Sequence, residues 1–378
     1  MDMEETLVKR ATPDKVAQLG ALSDRVFRPQ IVPGTAMAHE FPLLFHARNA
    51  EHLYYVEDGG RPVALVGMAP GGVATCGTRV SAVSMGSVCT DSAYRQRHYA
   101  STMIEQVLAD YTPDTSVLFV SGGLSIYRRV GCVNFGSFAS VWLESSPGVG
   151  PDAGLRTPIV ARLARSEADF AALHALYIAE PLRFARTPEQ MTALLGALDA
   201  PMYRDIPCTP RVFVAEQGGR VIAYAVVNVA DRDDAPAHFI EWAGARNALF
   251  ALAQAAREAF SVRAARLYLA KEDATARALF RAAGVTMEER ANQGTVRVLN
   301  PQLLLQEIGP ALLDRYGEVP VLEDTGQDEW TVRFARRSPA ADALQGAVLR
   351  GYGALSAWFF GAGGLQWPLP RTDDLNYI

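Results

Sequence analysis

A short basic loop between an expected strand and an expected helix carries the residues best suited to chemistry. The strand, built of small and β-branched residues, ends at Thr90, and the helix begins near Tyr99. Residues 95–98, with the sequence Arg-Gln-Arg-His, lie between them. Such a loop points backbone N–H groups outward at the positive end of the helix dipole, and its two arginines add full charges. The pattern predicts a site for a pyrophosphate group, although arginine-rich helix starts are also common on protein surfaces.

The strand and the loop together resemble the acetyl-CoA motif of the GNAT superfamily of N-acyltransferases. Val88-x-Thr90 ends the strand, and Arg95-x-x-His98-x-Ala100 corresponds to the family pattern Arg/Gln-x-x-Gly-x-Gly/Ala. The resemblance implies that acetyl-CoA binds here as a co-substrate, and that Gly123 adds to its site. The other implied cofactor-binding residues are Val88, Cys89, Thr90, Arg95, Gln96, Arg97, His98, Tyr99, Ala100 and Ser101.

His98 departs from the family pattern, which usually has glycine at this position. Glycine lets the backbone approach a phosphate closely and adopts a positive φ without strain. If the loop requires φ > 0 at residue 98, we expect some strain, which histidine tolerates better than most residues. The departure bears on cofactor affinity and loop geometry more than on the fold.

Three sequence matches in the same order indicate an internal duplication. Two segments that read as strand, Gly-Gly turn and strand begin at residues 52 and 211, 159 residues apart. Two aromatic-Arg-x-x-Gly steps lie in the matching segments 126–131 and 279–284, 153 residues apart. A weaker pair of N-capped helices precedes both. We therefore expect two α/β domains, residues 1–150 and 151–296, joined by a linker rich in Gly, Pro and Ser.

The second copy lacks the features that chemistry would need. Phe280 stands where the first copy has Tyr127, so the hydroxyl is missing. The spacing falls from 159 to 153 residues across the interval that holds the pyrophosphate loop. Residues 242–247, with one arginine, take its place. This predicts a structural role for the second domain.

The remaining residues, 297–378, do not repeat. Asn300-Pro301 and Ser338-Pro339 each predict a helix start, and residues 328–335 alternate like a strand. Leu344, Val348 and Leu349 are expected on the inner side of the second helix. Two tandem GNAT-like domains followed by a small α+β domain resemble the enhanced intracellular survival (Eis) acetyltransferases, whose third domain is similar to sterol carrier proteins. The resemblance implies an α/β (α+β) fold class, and its specific motifs lie in residues 84–131.

The resemblance also implies two catalytic groups. In the Eis family a tyrosine just before Arg-x-x-Gly is the general acid and the terminal carboxylate is the general base, which carry over to Tyr127 and Ile378. Acyl transfer from a thioester to an amine needs a base, a donor to the oxyanion and a proton for the thiolate. Residues 76–90 contain no carboxylate. A terminal carboxylate, Asp91 or water therefore remains as the base, and the Val88 N–H is the expected oxyanion donor.

Several of these residues have simpler roles as alternatives. Tyr127 could fill the core with its hydroxyl bonded to the backbone, and a terminal carboxylate is usually solvated. Cys89 is more often a small buried filler than a nucleophile. Asp24 and Glu40, with Asp373 and Asp374, could line a pocket for a cationic acceptor or be solvated at the surface.

We expect an acetyl-CoA-dependent N-acetyltransferase that acts on a primary amine by direct attack in a ternary complex. Two alternatives stay open: an acyltransferase for a longer acyl or aminoacyl group on the same duplicated fold, or a non-catalytic CoA-binding scaffold. The acceptor is a small-molecule or peptide amine. The resemblance also suggests a homo-oligomer.

Composition argues against other classes of protein. The 378 residues carry a net charge of −5, which is unlike a nucleic-acid-binding surface. The four cysteines form no C-x-x-C pair and the histidines have no metal spacing, so no metal is expected. The chain begins without the apolar segment of a signal peptide, and residues 355–367 are too short to span a bilayer. We expect a cytoplasmic protein with no membrane or nucleic-acid partner.

Overall fold

A computed structural model gives the architecture of two compact units. The first unit contains residues 8–136 and 292–372, and the second contains residues 137–291. The structure describes residues 8–31, 34, 36–144, 157–199, 202–203, 206–207, 210–335 and 339–372.

The strands and helices are numbered in chain order. The strands are β1 (Lys9–Arg10), β2 (Leu53–Asp58), β3 (Arg61–Thr75), β4 (Thr78–Thr90), β5 (Val117–Val120), β6 (Val133–Asn134), β7 (Ser137–Leu143), β8 (Ile159–Leu163), β9 (Arg183–Phe184), β10 (Met202–Tyr203), β11 (Ile206–Pro207), β12 (Arg211–Gln217), β13 (Arg220–Asn228), β14 (Ala237–Gly244), β15 (Ala265–Ala270), β16 (Met287–Ala291), β17 (Thr295–Val298), β18 (Val321–Gly326), β19 (Glu329–Arg333) and β20 (Val348–Arg350). The helices are α1 (Val16–Phe27), α2 (Met37–Glu40), α3 (Tyr99–Tyr111), α4 (Ser125–Arg129), α5 (Ser166–Ile178), α6 (Pro188–Gly196), α7 (Ala248–Phe260), α8 (Ala274–Ala282), α9 (Pro301–Tyr316), α10 (Pro339–Asp342) and α11 (Gly351–Phe360).

The main sheet of the first unit lies between two helices. Its strands follow the order β1-β2-β3-β4-β5-β17-β6, and within that order only β4 and β5 run parallel. Leu19 and Leu22 of α1 pack in one core cluster on the sheet. Met103 and Val107 of α3 pack in another cluster. The sheet therefore carries apolar side chains on both faces.

The sheet of the second unit repeats this plan. Its order is β16-β7-β15-β14-β13-β12-β8, and only β14 and β15 run parallel. Helix α7 supplies much of its core through Leu249, Leu252 and Ala253. The Gly-Gly turns predicted from the repeat join β2 to β3 and β12 to β13, and all four glycines have φ between 55° and 81°. Two successive residues with positive φ are typical of a type I′ hairpin turn.

The boundaries of the two units do not coincide with those of the two sequence repeats. Strand β7, which precedes the expected linker, pairs with β15 and β16 in the second sheet. Strand β17, which follows the second repeat, pairs with β5 and β6 in the first sheet. The last strand of each repeat thus completes the sheet of the other.

Helices begin at Pro301 and Pro339, as the sequence predicts, but the second helix is much shorter than expected. Helix α9 begins after Asn300, whose side chain accepts from the Leu303 N–H at 3.0 Å, with Pro301 at the first helical position. The second predicted helix was wrong beyond Asp342, where α10 ends. Val348 and Leu349 belong instead to β20, which pairs with β19. Apolar spacing over so few residues fits a helix or a strand equally well.

None of the described helices combines the length and hydropathy that a membrane span requires.

Candidate functional site

Strands β4 and β5 form a parallel ladder that ends before β4 does. The ladder runs from Ala82–Val117 to Met85–Val120, whereas β4 continues to Thr90. Among the described strands, residues 86–90 therefore have no partner on the β5 side. The strands part after Met85, three residues before Val88.

A β-bulge lies where the strands part. Ser87 and Val88 of β4 together oppose Val66 of β3. Ser87 has φ 51°, a left-handed conformation that is uncommon for a residue other than glycine. A bulge leaves an unpaired residue and bends the strand that contains it. The bulge therefore turns the end of β4 away from regular pairing.

The loop from β4 to α3 is anchored at its start. Asp91 accepts from the Ala93 N–H at 3.2 Å and pairs with Arg61 at 2.8 Å. The Tyr94 hydroxyl donates to Asp58 at 2.7 Å. The Asp91 carboxylate is therefore already engaged, which weakens its case as a general base.

The middle of this loop is exposed and conformationally strained. Residues 95–98 are all exposed, and Gln96 and His98 have φ of 66° and 62°. Position 98 therefore has the positive φ under which the sequence predicts strain. The positive φ of Gln96 was not predicted, because glutamine is not a residue type that indicates this conformation.

Helix α3 begins directly after His98 with open backbone donors. The His98 side chain makes no capping hydrogen bond, and its carbonyl accepts from the Thr102 N–H at 3.1 Å. The first N–H groups of a helix have no partner within it. Those of Tyr99, Ala100 and Ser101 therefore stand beside the exposed Arg95 and Arg97, in the arrangement that favours an anion.

Tyr127 lies on α4, which follows the end of β5. Its side chain is buried in the core cluster that also holds Met85 and Met103. Its ring comes within 3.7 Å of the position that a Cβ on Gly122 would take. Gly123, in the same loop, accepts at its carbonyl from Arg128 at 3.3 Å. Tyr127 and Gly123 thus follow the carboxyl end of β5, at the sheet edge where β4 also ends.

Backbone conformation and close packing explain why the Tyr-Arg-Arg-x-Gly step ends in a glycine, Gly131. Gly131 has φ 87°, and a Cβ there would lie 2.8 Å from the Cβ of Tyr352 and 3.0 Å from the backbone nitrogen of Gly353. Only glycine combines this conformation with such close packing. The step therefore fixes α4 against the start of α11.

Cys89 is buried in the core and is not placed to act as a nucleophile. It is buried among Leu19, Leu22 and Leu65 on the α1 side of the sheet. Burial raises the pKa of its thiol to about 12, so the thiol stays protonated at neutral pH. The side chain thus fills the core.

Asp24 and Glu40 are neither solvated nor free to line a pocket. Asp24 is fully buried and accepts backbone N–H groups from Gly34 at 2.5 Å and Met37 at 2.6 Å. Glu40 pairs with Arg28 at 2.7 Å, with both side chains 4% exposed. Surface solvation was therefore wrong for these two residues, because local charge and polarity gave no sign of their partners. Asp373 and Asp374 lie outside the described residues.

The second unit fills the equivalent region with its own side chains. Trp242 pairs with Ala225, the repeat counterpart of Val66, so it stands where Val88 stands in the first unit. Its indole N–H donates to the carbonyl of Tyr268 in β15 at 3.0 Å. The β14–β15 ladder ends at His238–Arg266, so the tryptophan bridges the two strands after they part.

An ion-pair network lies beside Trp242. Arg246 donates to both carboxylate oxygens of Glu180, at 2.7 and 2.6 Å, and to Asp273 at 2.9 Å. Phe280, the counterpart of Tyr127, is fully buried and stacks on Phe250 at 4.7 Å. These contacts engage the side chains that replace the loop and the tyrosine of the first unit.

The segment after α11 is bound along the first unit. Leu365, Trp367 and Leu369 are buried, and Thr75 donates to the carbonyl of Pro368 at 2.7 Å. Thr372 donates to Asn292 at 2.9 Å. A Cβ on Gly294 would lie 2.6 Å from the Thr372 hydroxyl and 2.9 Å from the Val120 carbonyl.

The segment thus reaches the carboxyl end of β5 at Thr372, and the proposed base at Ile378 lies outside the described residues. The described residues contain no cluster of His, Cys, Asp and Glu that could hold a metal ion.

Comparison with known proteins agrees with this geometry. The sequence model of the acetyltransferase (GNAT) domain family matches residues 7–134. The fold is similar to that of Eis1 from Mycobacterium abscessus, with a TM-score of 0.63 and 17% identity over 94% of this chain and 90% of that one. A probable N-acyltransferase from Enterococcus faecalis V583 gives a TM-score of 0.61 and 16% identity over 80% and 74% of the two chains.

A GCN5-related N-acetyltransferase from Anabaena variabilis gives a TM-score of 0.60 and 14% identity, over 85% and 77% of the chains. Comparison with curated protein sequences finds no match. Residues 7–134 therefore match the GNAT acetyltransferase domain family, and the fold is α/β with two tandem GNAT-like sheets.

The positive φ at His98 leads to a stability prediction. Replacing His98 by glycine should leave the free energy of unfolding unchanged or raise it, because glycine adopts φ 62° without strain. Replacing it by valine should lower that free energy by about 1–2 kcal/mol, because a β-branched residue is poorly tolerated there. Urea denaturation measures both effects.

Arg97→Gly is the matched control, since Arg97 is an exposed neighbour that is not among the residues with positive φ. There glycine should be destabilising by about 0.5–1 kcal/mol. Equal losses for the glycine variants at 97 and 98 would contradict the strained loop.

Proposed function

We propose that this protein is an acetyl-CoA-dependent N-acetyltransferase that transfers the acetyl group to a primary amine by direct attack in a ternary complex. One observation carries the proposal: β4 and β5 part at a bulge, beside the exposed arginines and open N–H groups at the start of α3. This arrangement lies within the segment that matches the GNAT acetyltransferase family.

The cofactor would bind across the parted strand ends. Residues 95–101 would hold the pyrophosphate through Arg95, Arg97 and the first N–H groups of α3. The backbone of Val88, Cys89 and Thr90, which has no described strand partner on the β5 side, would hold the pantetheine by strand-like hydrogen bonds. Gly123 lies in the loop that follows β5 and would contribute backbone to the same site.

The chemistry would proceed in a single complex. The amine nitrogen attacks the thioester carbonyl carbon, and the new oxyanion receives a hydrogen bond from the Val88 N–H. The tetrahedral intermediate then breaks its carbon–sulfur bond. Tyr127 donates a proton to the leaving CoA thiolate. A base removes one proton from the attacking nitrogen, which becomes positively charged when the new bond forms.

In a chain that ends at Ile378, we assign the base to the terminal carboxylate, acting through water. The support comes from the described part of the tail, which buries Leu365, Trp367, Leu369 and Thr372 and comes near Val120 at the end of β5. Six further residues can extend about 20 Å, which suffices to approach the parted strands.

The second unit would serve packing alone. Trp242 bridges β14 and β15, Arg246 is held by two carboxylates, and Phe280 has no hydroxyl. We therefore assign one cofactor site to each chain. The similarity of residues 297–378 to sterol carrier proteins, the homo-oligomer and the cytoplasmic location stay predictions from sequence.

Calorimetric titration of acetyl-CoA into the untagged protein tests the cofactor site. The unaltered protein should bind, and Arg95→Ala should bind about 10-fold to 100-fold more weakly, the usual loss for a charged hydrogen bond. Arg220→Ala, an exposed arginine of the β12–β13 hairpin, is the matched control and should leave affinity unchanged.

Each other outcome has a definite meaning. No binding by the unaltered protein would contradict the proposed function. Tighter binding of a longer acyl-CoA would favour the alternative acyltransferase. Binding without turnover on any amine would favour the scaffold.

Replacing Tyr127 by phenylalanine tests the general acid. Turnover should fall about 10²-fold or more while acetyl-CoA affinity changes little, because the lost proton donor acts in the transition state. Steady-state kinetics and calorimetry separate the two effects. Tyr111→Phe is the control, since its hydroxyl lies 2.6 Å from His52 rather than beside the end of β5. Full activity of Tyr127→Phe would remove the assignment.

Extending the chain beyond Ile378 tests the terminal base. A few appended residues should depress turnover without affecting the fold, because they move the carboxylate away. The same residues placed before Met1 provide the control. Equal turnover in both extended proteins would assign the base to another group.

A further inference from the structure

The bulge that parts β4 from β5 is tied to α1 by two buried hydroxyl groups. Ser87 Oγ lies 2.5 Å from Ser23 Oγ. Ser23 is fully buried on α1, and Ser87 is 9% exposed. Removing one of two buried hydroxyls leaves the other without this partner, which is unfavourable away from water. The pair therefore fixes the position of the bulge relative to the helix.

The conformation of Ser87 makes this contact informative. Its φ of 51° belongs to the region where glycine is the usual residue. A serine there carries strain that the surrounding structure must hold, and such strain clusters at functional sites. The hydrogen bond to Ser23 is a contact that glycine could not make.

The second unit provides an internal comparison. Strand β14 also has a register shift against β13, between Val226 and Val227. None of its non-glycine residues has positive φ, and Trp242 fills the region where the strands part. Ser87, with its positive φ, thus occurs in the first unit, whereas Trp242 bridges the parted strands of the second.

Helix α1 is itself held firmly next to Ser23. Asp24 accepts N–H groups from Gly34, Ala36 and Met37, and Arg28 pairs with Glu40. The helix therefore gives the Ser23 hydroxyl a fixed position from which to hold the bulge.

We propose that Ser23 is a positioning residue, which acts through Ser87 to hold the bulge in the geometry that directs the Val88 N–H at the thioester oxygen. This inference rests on the proposed function and adds a residue to it. Since the donor acts on charge that develops in the transition state, its alignment should affect turnover more than cofactor binding.

The test compares Ser23→Ala, Ser87→Ala and the double variant with Ser356→Ala. Ser356 is an equally buried serine on α11 of the same unit, bonded to Tyr352 and Val298. Steady-state kinetics with acetyl-CoA and an amine found by screening give kcat and KM. Hydrogen exchange follows the amides of residues 86–90, and urea denaturation gives stability.

Ser23→Ala should lower kcat about tenfold with little change in the KM for acetyl-CoA, and should speed exchange at residues 86–90. The double variant leaves no hydroxyl of the pair unpartnered, so its stability should recover in part. Its kcat should be no lower than that of Ser23→Ala, because both substitutions remove the same contact. Ser356→Ala should lower stability but leave kcat and exchange at residues 86–90 unchanged.

A loss of stability in Ser23→Ala with kcat and exchange at residues 86–90 unchanged would overturn the inference and leave a packing role. Failure of the proposed function gives a different result, because the unaltered protein would then bind no acetyl-CoA. In that case the assignment of Ser23 to catalysis is also overturned.

Discussion

The separation of two parallel strands is the constraint on which the rest of the first unit depends. Strands β4 and β5 pair only as far as Met85–Val120, and β4 then runs on for five residues without β5. Unpaired backbone groups in a sheet are unfavourable unless something else satisfies them. The bulge at Ser87, the short turn at Asp91 and the start of α3 all lie at this opening. A thioester with its pantetheine arm offers the hydrogen-bonding groups that such an opening lacks.

The duplicated unit closes the same opening with its own side chains. Its parallel pair, β14 and β15, parts after His238–Arg266, and Trp242 then spans the two strands. The Gly244 N–H donates to Glu180 at 2.8 Å, and Phe280 stacks on Phe250 in the core instead of presenting a hydroxyl. The two units thus share one sheet plan but differ where the parallel strands part. One keeps its strand ends available, and the other gains internal packing.

Local patterns in the sequence predicted the parts of this site that depend on neighbouring residues. The end of β4, the start of α3 and the two Gly-Gly turns follow from strand composition, helix periodicity and the need for positive φ. The Ser23–Ser87 contact could not be predicted, because serine is an ordinary residue in both a helix and a strand. The exchange of β7 and β17 was equally hidden, since alternation identifies a strand but not its partner. Asp24 was misjudged because its partners are backbone N–H groups, which every sequence contains.

Strand exchange also has a consequence for how the chain is made. On the ribosome, the segment through β6 emerges long before Thr295–Val298, the strand that lies between β5 and β6. The edge of β5 therefore stays unpaired while more than a hundred further residues are synthesised, and unpaired edges invite association with other chains. A nascent chain in this interval has an incomplete first sheet with an exposed edge, to which chaperones can bind. Gene fragments cut at the linker would each lack one strand, so the two halves can be complete only together.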